Sequence, residues 1–513
     1  MRYFLLFLFP LFLFSKQFKV ASYNVENLFD AVYVGTEYDD YRQKHNWTKR
    51  MVEIKLNHTA EVICDLDADI LGLQEIENSN IFEQLKKRLD RVGCGYRYSA
   101  ITTKKNATIQ IALLSNFPIV NKKELQVSYS PRVRNILEVE VDTGRNNLTI
   151  FVNHWKSKSR KGVESKRIKY AKVLQKRIIS LASNKEYIVI GDLNSNYNAH
   201  QTLEEKLNDT GGRTGISNIL QTVIDNKLIA ENQILKMSKG ALYNAWQELP
   251  FKQRWSHKFY GNRSTLDHIL LPPSMFDKKG IDYVNDSFKV FKAPYLFTKR
   301  GYINAWKYKN GKHMAKGYSD HLPVYAMFGS QAYIADTSAK VPKIVNKDID
   351  FLYTVDSIEN QIKLEDVTVI FKRRTNAIVK QTKSGRGIYL YGCAKGLKEG
   401  HSYDILVQDI TSYKGLKEIT DIIKLRDKGR VELSKFYSSV DSARQNEVLK
   451  NIEGIYKNKH LHISDQTIAI HFKNKKDTPP DDSYIKIHYA HIGYYKKLQL
   501  VIYSKKDFEI LER

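Results

Sequence analysis

Three cysteines, Cys64, Cys94 and Cys393, are all that the chain contains. They are too few for a disulfide framework and match no metal-binding spacing, although Cys64 and Cys94 are free to pair in an oxidising compartment. Long apolar runs are just as scarce. The one inside Met1–Ser15, about a dozen residues rich in Phe and Leu, falls short of the ~20 that a transmembrane helix needs. With Arg2 before it and Ser15 after it, this run has the pattern of a secretory signal cut near Ser15. The sequence therefore predicts export, to the periplasm or beyond the cell, with no stable membrane insertion. Acidic residues are also in deficit, 56 Asp and Glu against 82 Lys and Arg, which leaves a formal net charge of +26. A field of that sign favours polyanionic partners, nucleic acid first and anionic lipid second. No protein partner is indicated.

What is present begins with a globular composition, 42% hydrophobic and 12% aromatic over 513 residues. At ~150 residues per domain the chain holds two or three. Its centre is Tyr187–Asn196, where the β-branched run Ile188–Val189–Ile190 predicts a strand buried on both faces. Gly191 ends the run, and Asp192 and Asn194 follow on alternate positions. A carboxylate and an amide at the mouth of a rigid core suit hard cations and the phosphates they hold. A strand running into an Asx turn would look the same.

Other strands end in comparable residues. Phe18–Asn24 ends in Asn24, Asp69–Gln74 in Glu75 and Leu148–His154 in His154. Thr265–Leu271 carries Asp267, and Ser319–Val324 opens with Asp320 and His321. Between them, Thr48 caps a helical pattern to about Leu66, Ile81–Arg91 is amphipathic, and Lys166–Ser183 is a basic helix. Strands at Ile109–Leu114 and Ile136–Val141 complete an α/β pattern of sheets covered by helices. From about Ser338 the pattern changes to short strands in a weak internal repeat. One series is Val367–Phe371, Gly387–Tyr391, Ser402–Val407 and Tyr413–Lys424. The other is Ile452–Tyr456, Thr467–Phe472, Ser483–Tyr489 and Tyr494–Tyr503. Each copy carries a Tyr-Lys element, at Tyr413–Leu416 and more loosely at Tyr495–Leu498. Small barrels of the OB type fit this spacing, and basic clusters at Lys372–Arg374 and Lys473–Lys476 favour a nucleic-acid ligand. The expected division is 1–15 signal, 16–332 α/β domain, 333–430 and 431–513 OB-like modules.

Six strand ends bearing Asn24, Glu75, His154, Asp192, Asp267 and Asp320, with Asn194 and His321 just beyond, imply one shared cleft. The ordered pieces are Tyr23-Asn24-Val25, Leu73-Gln74-Glu75, Asn153-His154, Gly191-Asp192-Leu193-Asn194, Leu266-Asp267-His268 and Ser319-Asp320-His321. Over about Phe18–Phe328 this order resembles the endonuclease/exonuclease/phosphatase superfamily. Tyr23–Phe29, Gln74–Asn78 and Asn153–Lys158 look most like its secreted bacterial nucleases. The resemblance implies a four-layer α/β sandwich and a Mg²⁺-dependent phosphodiesterase, with Mn²⁺ or Ca²⁺ as alternative ions. It implies that Glu75 is the main metal ligand, supported by Asn24 and Asp320. His321 would accept a proton from water with Asp267 fixing its tautomer, while His154 and Asn194 hold the scissile phosphate. Asp192 would position the nucleophile or a second cation. Arg134, Lys156 and Lys158 would contact phosphates, a role their residue types support independently. In pancreatic-type enzymes the histidine matching His154 has its own carboxylate, and no acid stands near Ile109–Gln110 to supply one here.

The same fold serves lipid substrates, so fold alone does not assign the reaction. Inositol phosphatases carry Trp-Cys-Asp-Arg where this chain has Thr265-Leu266-Asp267-His268. A sphingomyelinase-type enzyme calls for an aromatic membrane hairpin, whereas Tyr295–Trp306 is interleaved with Lys and Arg. A secreted DNA-binding or uptake protein has no need of both metal ligands and an Asp–His pair. A secreted nuclease acting on DNA, with RNA as the alternative, therefore ranks first.

Overall fold

The computed structural model describes residues 17–511 except 145, 160, 183, 260, 331, 335–342 and 443. The expected signal segment lies outside the described residues. Among those described, no helix is long and apolar enough to cross a membrane.

Two mixed six-stranded paths face each other. The first contains β1 (Phe18–Leu28), β2 (Ile70–Ile76), β3 (Tyr98–Ile101) and β4 (Gln110–Ser115), with Val324–Ser330 and Ile281–Tyr283 beyond β1. The second runs through β5 (Ile119–Leu125), β6 (Ile136–Asp142), β7 (Asn147–His154) and β8 (Glu186–Asp192) to Asp267–Leu271 and Tyr243–Asn244. Alternation decides which side chains meet. Val20, Ile70 and Leu113 from one sheet pack with Val139, Val152, Ile188, Ile190 and Ile269 from the other. Gly72 permits this close approach, because a Cβ there would lie 2.8 Å from Ile190 Cδ1.

The outer faces are covered by helices. α1 (Lys49–Leu66) and α2 (Ser79–Arg91) bury Leu56, Ile63, Phe82 and Leu85 against Ala21, Tyr23, Leu71 and Leu73. α3 (Glu164–Ser180) lays Tyr170, Leu174 and Ile178 over Phe151 and Val189. The result is the four-layer α/β sandwich. Thr48 caps α1 as the sequence indicates, its hydroxyl accepting from the Met51 N–H at 3.3 Å.

The C-terminal region is all β. Strands Gln361–Arg373, Asn376–Lys380, Gly387–Leu390, His401–Tyr413 and Leu416–Arg430 form a closed circuit. The first pairs with the second, the second with the third, and the third runs parallel to the fifth. The fifth pairs with the fourth, which returns to the first. A second circuit repeats this order with Ile452–Lys457, His460–Ile463, Gln466–Phe472 and Lys497–Ile502. Its fourth strand is broken into Ser483–Ile487, which pairs with the first, and Ala490–Tyr495, which pairs with the fifth.

Two strand expectations need correcting here. Tyr413–Lys424 and Tyr494–Tyr503 are not continuous strands, because each contains a hairpin turn. Tyr413 pairs with Leu416 and Tyr495 with Lys497. The turns form at Lys414 (φ 53°) with Gly415 (φ 92°), and at Lys496 (φ 63°), in the left-handed region that tight hairpins demand.

Cys64 and Cys94 form a disulfide with Cα atoms 5.6 Å apart, joining α1 to the chain just after α2. Closing a loop with a sequence separation of 30 restricts the unfolded chain and is worth about 3–4 kcal/mol. Replacing both cysteines by alanine is expected to lower stability by that amount in urea unfolding of the oxidised protein. An unchanged midpoint would show that the bond contributes nothing.

Candidate active site

The register of the second sheet brings the first catalytic candidates together. Parallel pairing of β7 and β8 sets His154 opposite Asp192, and the antiparallel partner of Asp192 is Asp267. Three neighbouring strands thus end in a His, an Asp and an Asp on one row. Gly191 is required beneath them. Its φ is +128°, and a Cβ would lie 2.1 Å from the Asn153 carbonyl oxygen.

The first sheet supplies the facing row. β1 and β2 are parallel with Asn24 opposite Gln74, and the ladder is interrupted beyond that pair. At the interruption Glu26 (φ 53°), Asn27 (φ 56°) and Glu75 (φ 67°) adopt the left-handed conformation, which non-glycine residues hold only when their surroundings enforce it. The contacts that enforce it are visible. The Glu26 N–H donates to Asn24 Oδ1 at 3.0 Å, and the Asn27 N–H to Glu75 Oε2 at 2.9 Å.

Asn24 joins the two rows. Its amide nitrogen donates to Glu75 Oε1 and to Asp192 Oδ2, both at 3.1 Å. The Asn194 N–H and side-chain amide donate to the two oxygens of Asp192 at 2.8 and 3.1 Å. His154 Nε2 lies 3.7 Å from Glu75 Oε1 and 3.6 Å from Asp192 Oδ2. Its Nδ1 is buried with no hydrogen-bond partner, so this histidine has no carboxylate behind it. Gln110, in the region where one would stand, bonds Thr102 and Lys104 instead.

His321 is arranged differently. Its Nδ1 is 2.8 Å from Asp267 Oδ2, and the same oxygen accepts the Ser256 hydroxyl at 2.6 Å. Asp267 thereby fixes the neutral ring as the Nδ1–H tautomer and leaves the Nε2 lone pair facing the cleft, 4.0 Å from Asp192 and 3.9 Å from Asp320. Ser319 braces this loop, donating to the Asn24 carbonyl at 2.7 Å and accepting from the His321 N–H.

The electrostatics follow from burial against charge. Burial pushes Asp192 up to about 7, against the opposing pull of His321. Burial and the charge of Asp320 raise Glu75 as well. Burial raises Asp320 too, but His321 and His257 outweigh it and hold Asp320 below the usual carboxylate range. The histidines are driven apart. Burial, then Arg134, His321 and Lys156, push His154 far down, so it stays neutral. Burial would lower His321 as well, but Asp267, Asp320 and Asp192 overcome it and raise its proton affinity. Two titratable groups with opposed shifts in one cleft are the pattern of acid–base sites.

The donor set fits a divalent cation. Glu75 and Asp320 are both carboxylates, the charge of Asp320 disfavours ionisation of Glu75, and a hard ion between such groups relieves the repulsion. Asn24 turns its amide nitrogen, not its oxygen, toward Glu75, so it orients this carboxylate in the structure as described. Asp320 stands beside two histidines. His257 Nε2 is 3.6 Å from Asp320 Oδ2, and His257, Asp320 and His321 form a group whose ligand atoms lie within 4.8 Å of one another. His257 and Ser256 escaped the sequence reading, since each stands in a polar, weakly periodic stretch with no motif around it.

The three basic candidates are all near the row. Arg134 donates through Nε to the His154 carbonyl at 3.0 Å and also to the Trp155 carbonyl, so it braces the end of β7. Lys156 lies beside Ser157. Lys158 is half-buried in a small cavity with Glu164, Arg167 and Ser195, and burial pushes its ammonium down to about 8. His268, next to Asp267, is structural. Fully buried, it contacts the Ser195 carbonyl through Nε2 at 2.8 Å and Asn244 through Nδ1.

The profile of the endonuclease/exonuclease/phosphatase family matches residues 19–329. The chain belongs to this family, whose members are metal-dependent hydrolases of phosphoester bonds, typically using Mg²⁺. Similar solved structures include a humanised TDP2 of D. rerio at 14% identity, covering 61% of this chain and 99% of that one with a TM-score of 0.38. An endonuclease/exonuclease/phosphatase family protein of Bacteroides thetaiotaomicron is 16% identical, covering 61% and 98% with a TM-score of 0.38. A mannosyl-6-phosphatase of the same organism is 16% identical, covering 61% and 99% with a TM-score of 0.37. No curated protein matches the chain.

Burial lowers His268 to about 4 from 6.5. Between those pH values the unfolded chain binds a proton that the folded one does not, so stability falls as pH drops through that window. The loss is about 3 kcal/mol. Urea unfolding from pH 6.5 to 4 is expected to show this slope, and His268→Gln to flatten it. An identical slope in the variant would contradict the assignment.

Proposed function

We propose that the protein is an exported, Mg²⁺-dependent nuclease that hydrolyses phosphodiester bonds of DNA. The observation that carries this reading is the single cleft in which the Glu75 and Asp320 carboxylates face the Asp267–His321 pair and the neutral His154. A divalent ion held by Glu75 and Asp320 would neutralise the phosphate and stabilise charge on the leaving oxygen.

The chain's own groups do the rest. In its neutral form His321 takes the proton of the attacking water at Nε2, and Asp267 stabilises the imidazolium that results. The buried Asp192 holds Asn24 and Asn194 in place and stands beside both histidines, where it orients the water. His154, kept neutral, meets the scissile phosphate together with Asn194 as a hydrogen-bonding partner. Lys156 and Lys158 approach the flanking phosphates, and Arg134 fixes the strand end that bears His154.

Nucleic acid as substrate is supported by the formal charge of +26. Export is supported by the signal pattern in Met1–Ser15 and by the Cys64–Cys94 disulfide, a bond that persists in oxidising compartments.

Plasmid nicking with Mg²⁺, and its abolition by EDTA, tests the reading. Glu75→Ala and His321→Ala are expected to lower the rate at least ~100-fold, the scale of a lost acid–base group or metal ligand. Asp267→Asn should also slow cleavage and shift the acid limb of the pH–rate profile to lower pH, because it removes a charge that raises the proton affinity of His321. Full activity in these variants, or cleavage that ignores EDTA, would contradict the proposal.

A further inference from the structure

The C-terminal circuits share more than strand order. In each, the turn joining the fourth and fifth strands carries tyrosine and lysine: Tyr413-Lys414-Gly415 in the first and Tyr495-Lys496-Lys497 in the second. The two turns come from different circuits, yet they meet. Lys414 Nζ donates to the Tyr495 hydroxyl at 3.3 Å and lies 4.5 Å from its ring centre and 5.6 Å from that of Tyr413. Gly415 lies against the Tyr494 ring so closely that a Cβ would stand 2.4 Å from it. The two tips are thus docked onto each other, and their relative position is set by packing.

Docking leaves both tyrosines open to solvent, with Lys414 between their rings. Tyr413 is 61% exposed and Tyr495 47%, and Lys414, Lys496 and Lys497 are all exposed beside them. Tyrosine rings held among lysines have a specific chemistry. Lysines attract a phosphate backbone, and the rings offer flat surfaces on which unpaired bases stack. Duplex DNA keeps its bases stacked internally and presents no such face. In five-stranded barrels closed in this order, the loop between strands four and five is one of those that contact oligonucleotides.

We infer that the paired turns Tyr413–Gly415 and Tyr495–Lys497 form a binding platform for single-stranded nucleic acid, separate from the hydrolytic cleft. The inference deepens the nuclease reading by adding a second contact that selects unpaired strands. It also stands without that reading, as a binding site that needs no catalysis.

Fluorescence anisotropy of a labelled oligothymidylate, with EDTA present to prevent cleavage, tests the platform on the full chain. The double variant Tyr413→Ala/Tyr495→Ala is expected to weaken binding at least about tenfold, the scale of one lost base–aromatic contact. Tyr413→Phe/Tyr495→Phe keeps both rings and should restore binding, which separates stacking from folding damage. Lys414→Glu should weaken binding and flatten its salt dependence. Heparin, a polyanion without bases, should bind wild type and the alanine variant equally. Equal oligothymidylate binding by wild type and the alanine variant would overturn the platform, as would an equal loss of heparin binding. Binding lost in the variant while wild type cuts no DNA would uphold the platform and remove the nuclease reading.

Discussion

The Asp192 carboxylate holds the centre together. It is almost fully buried, yet its oxygens accept from Asn24 on one sheet and from Asn194 at the end of its own strand. Both candidate histidines, His154 and His321, face it. Burying an acid in this way is unfavourable, and its upward shift to about 7 records that cost. The hydrogen bonds offset part of it and in doing so clamp the ends of β1 and β8 at fixed separation. The left-handed backbone at Glu26, Asn27 and Glu75 is held by the same network. Strain and buried charge are concentrated where the two sheets must present their functional groups to one substrate.

That centre is also tied to the C-terminal region. The hairpin of His257–Phe259 and Asn262–Ser264 bridges to His321 through His257. Its second strand carries Arg263, which is ion-paired with Asp409 and Asp421 of the first C-terminal circuit. Asp421 is fully buried, and burial pushes it up to about 7 even beside Arg263, so the interface is a close one. Asn198, just past the Asp192–Asn194 segment, donates to Gln361 across the same boundary. The region appended to the hydrolase fold therefore supports the loops that shape its cleft.

Much of this was legible from residues alone because strands ending in polar groups advertise themselves. Ile188–Val189–Ile190 reads as a buried strand, and Asp192 and Asn194 after it read as residues at the sheet edge. The same logic located Glu75, His154 and Asp267. It failed where placement depends on partners distant in sequence. His257 belongs to a short hairpin whose position comes from Arg263 and the C-terminal acids, and nothing local signals that. Arg134 looked like a free phosphate contact, yet the carbonyls of His154 and Trp155 engage it. The expected strands at Tyr413 and Tyr494 each run through a hairpin turn: Gly415 alone marks the first, amid strand-like neighbours, and at the second the positive φ falls on Lys496, a residue that signals no turn. The tip-to-tip docking of those turns was likewise invisible, since it needs both circuits folded.

The central claim is that this cleft activates water against a phosphodiester. Cleavage of a defined DNA by the mature protein with Mg²⁺ in ¹⁸O-enriched water, followed by mass analysis of the new termini, tests it most directly. The account predicts one ¹⁸O atom in each newly formed terminal phosphate. Unlabelled termini, a covalent protein–DNA adduct, or no cleavage at all would contradict it.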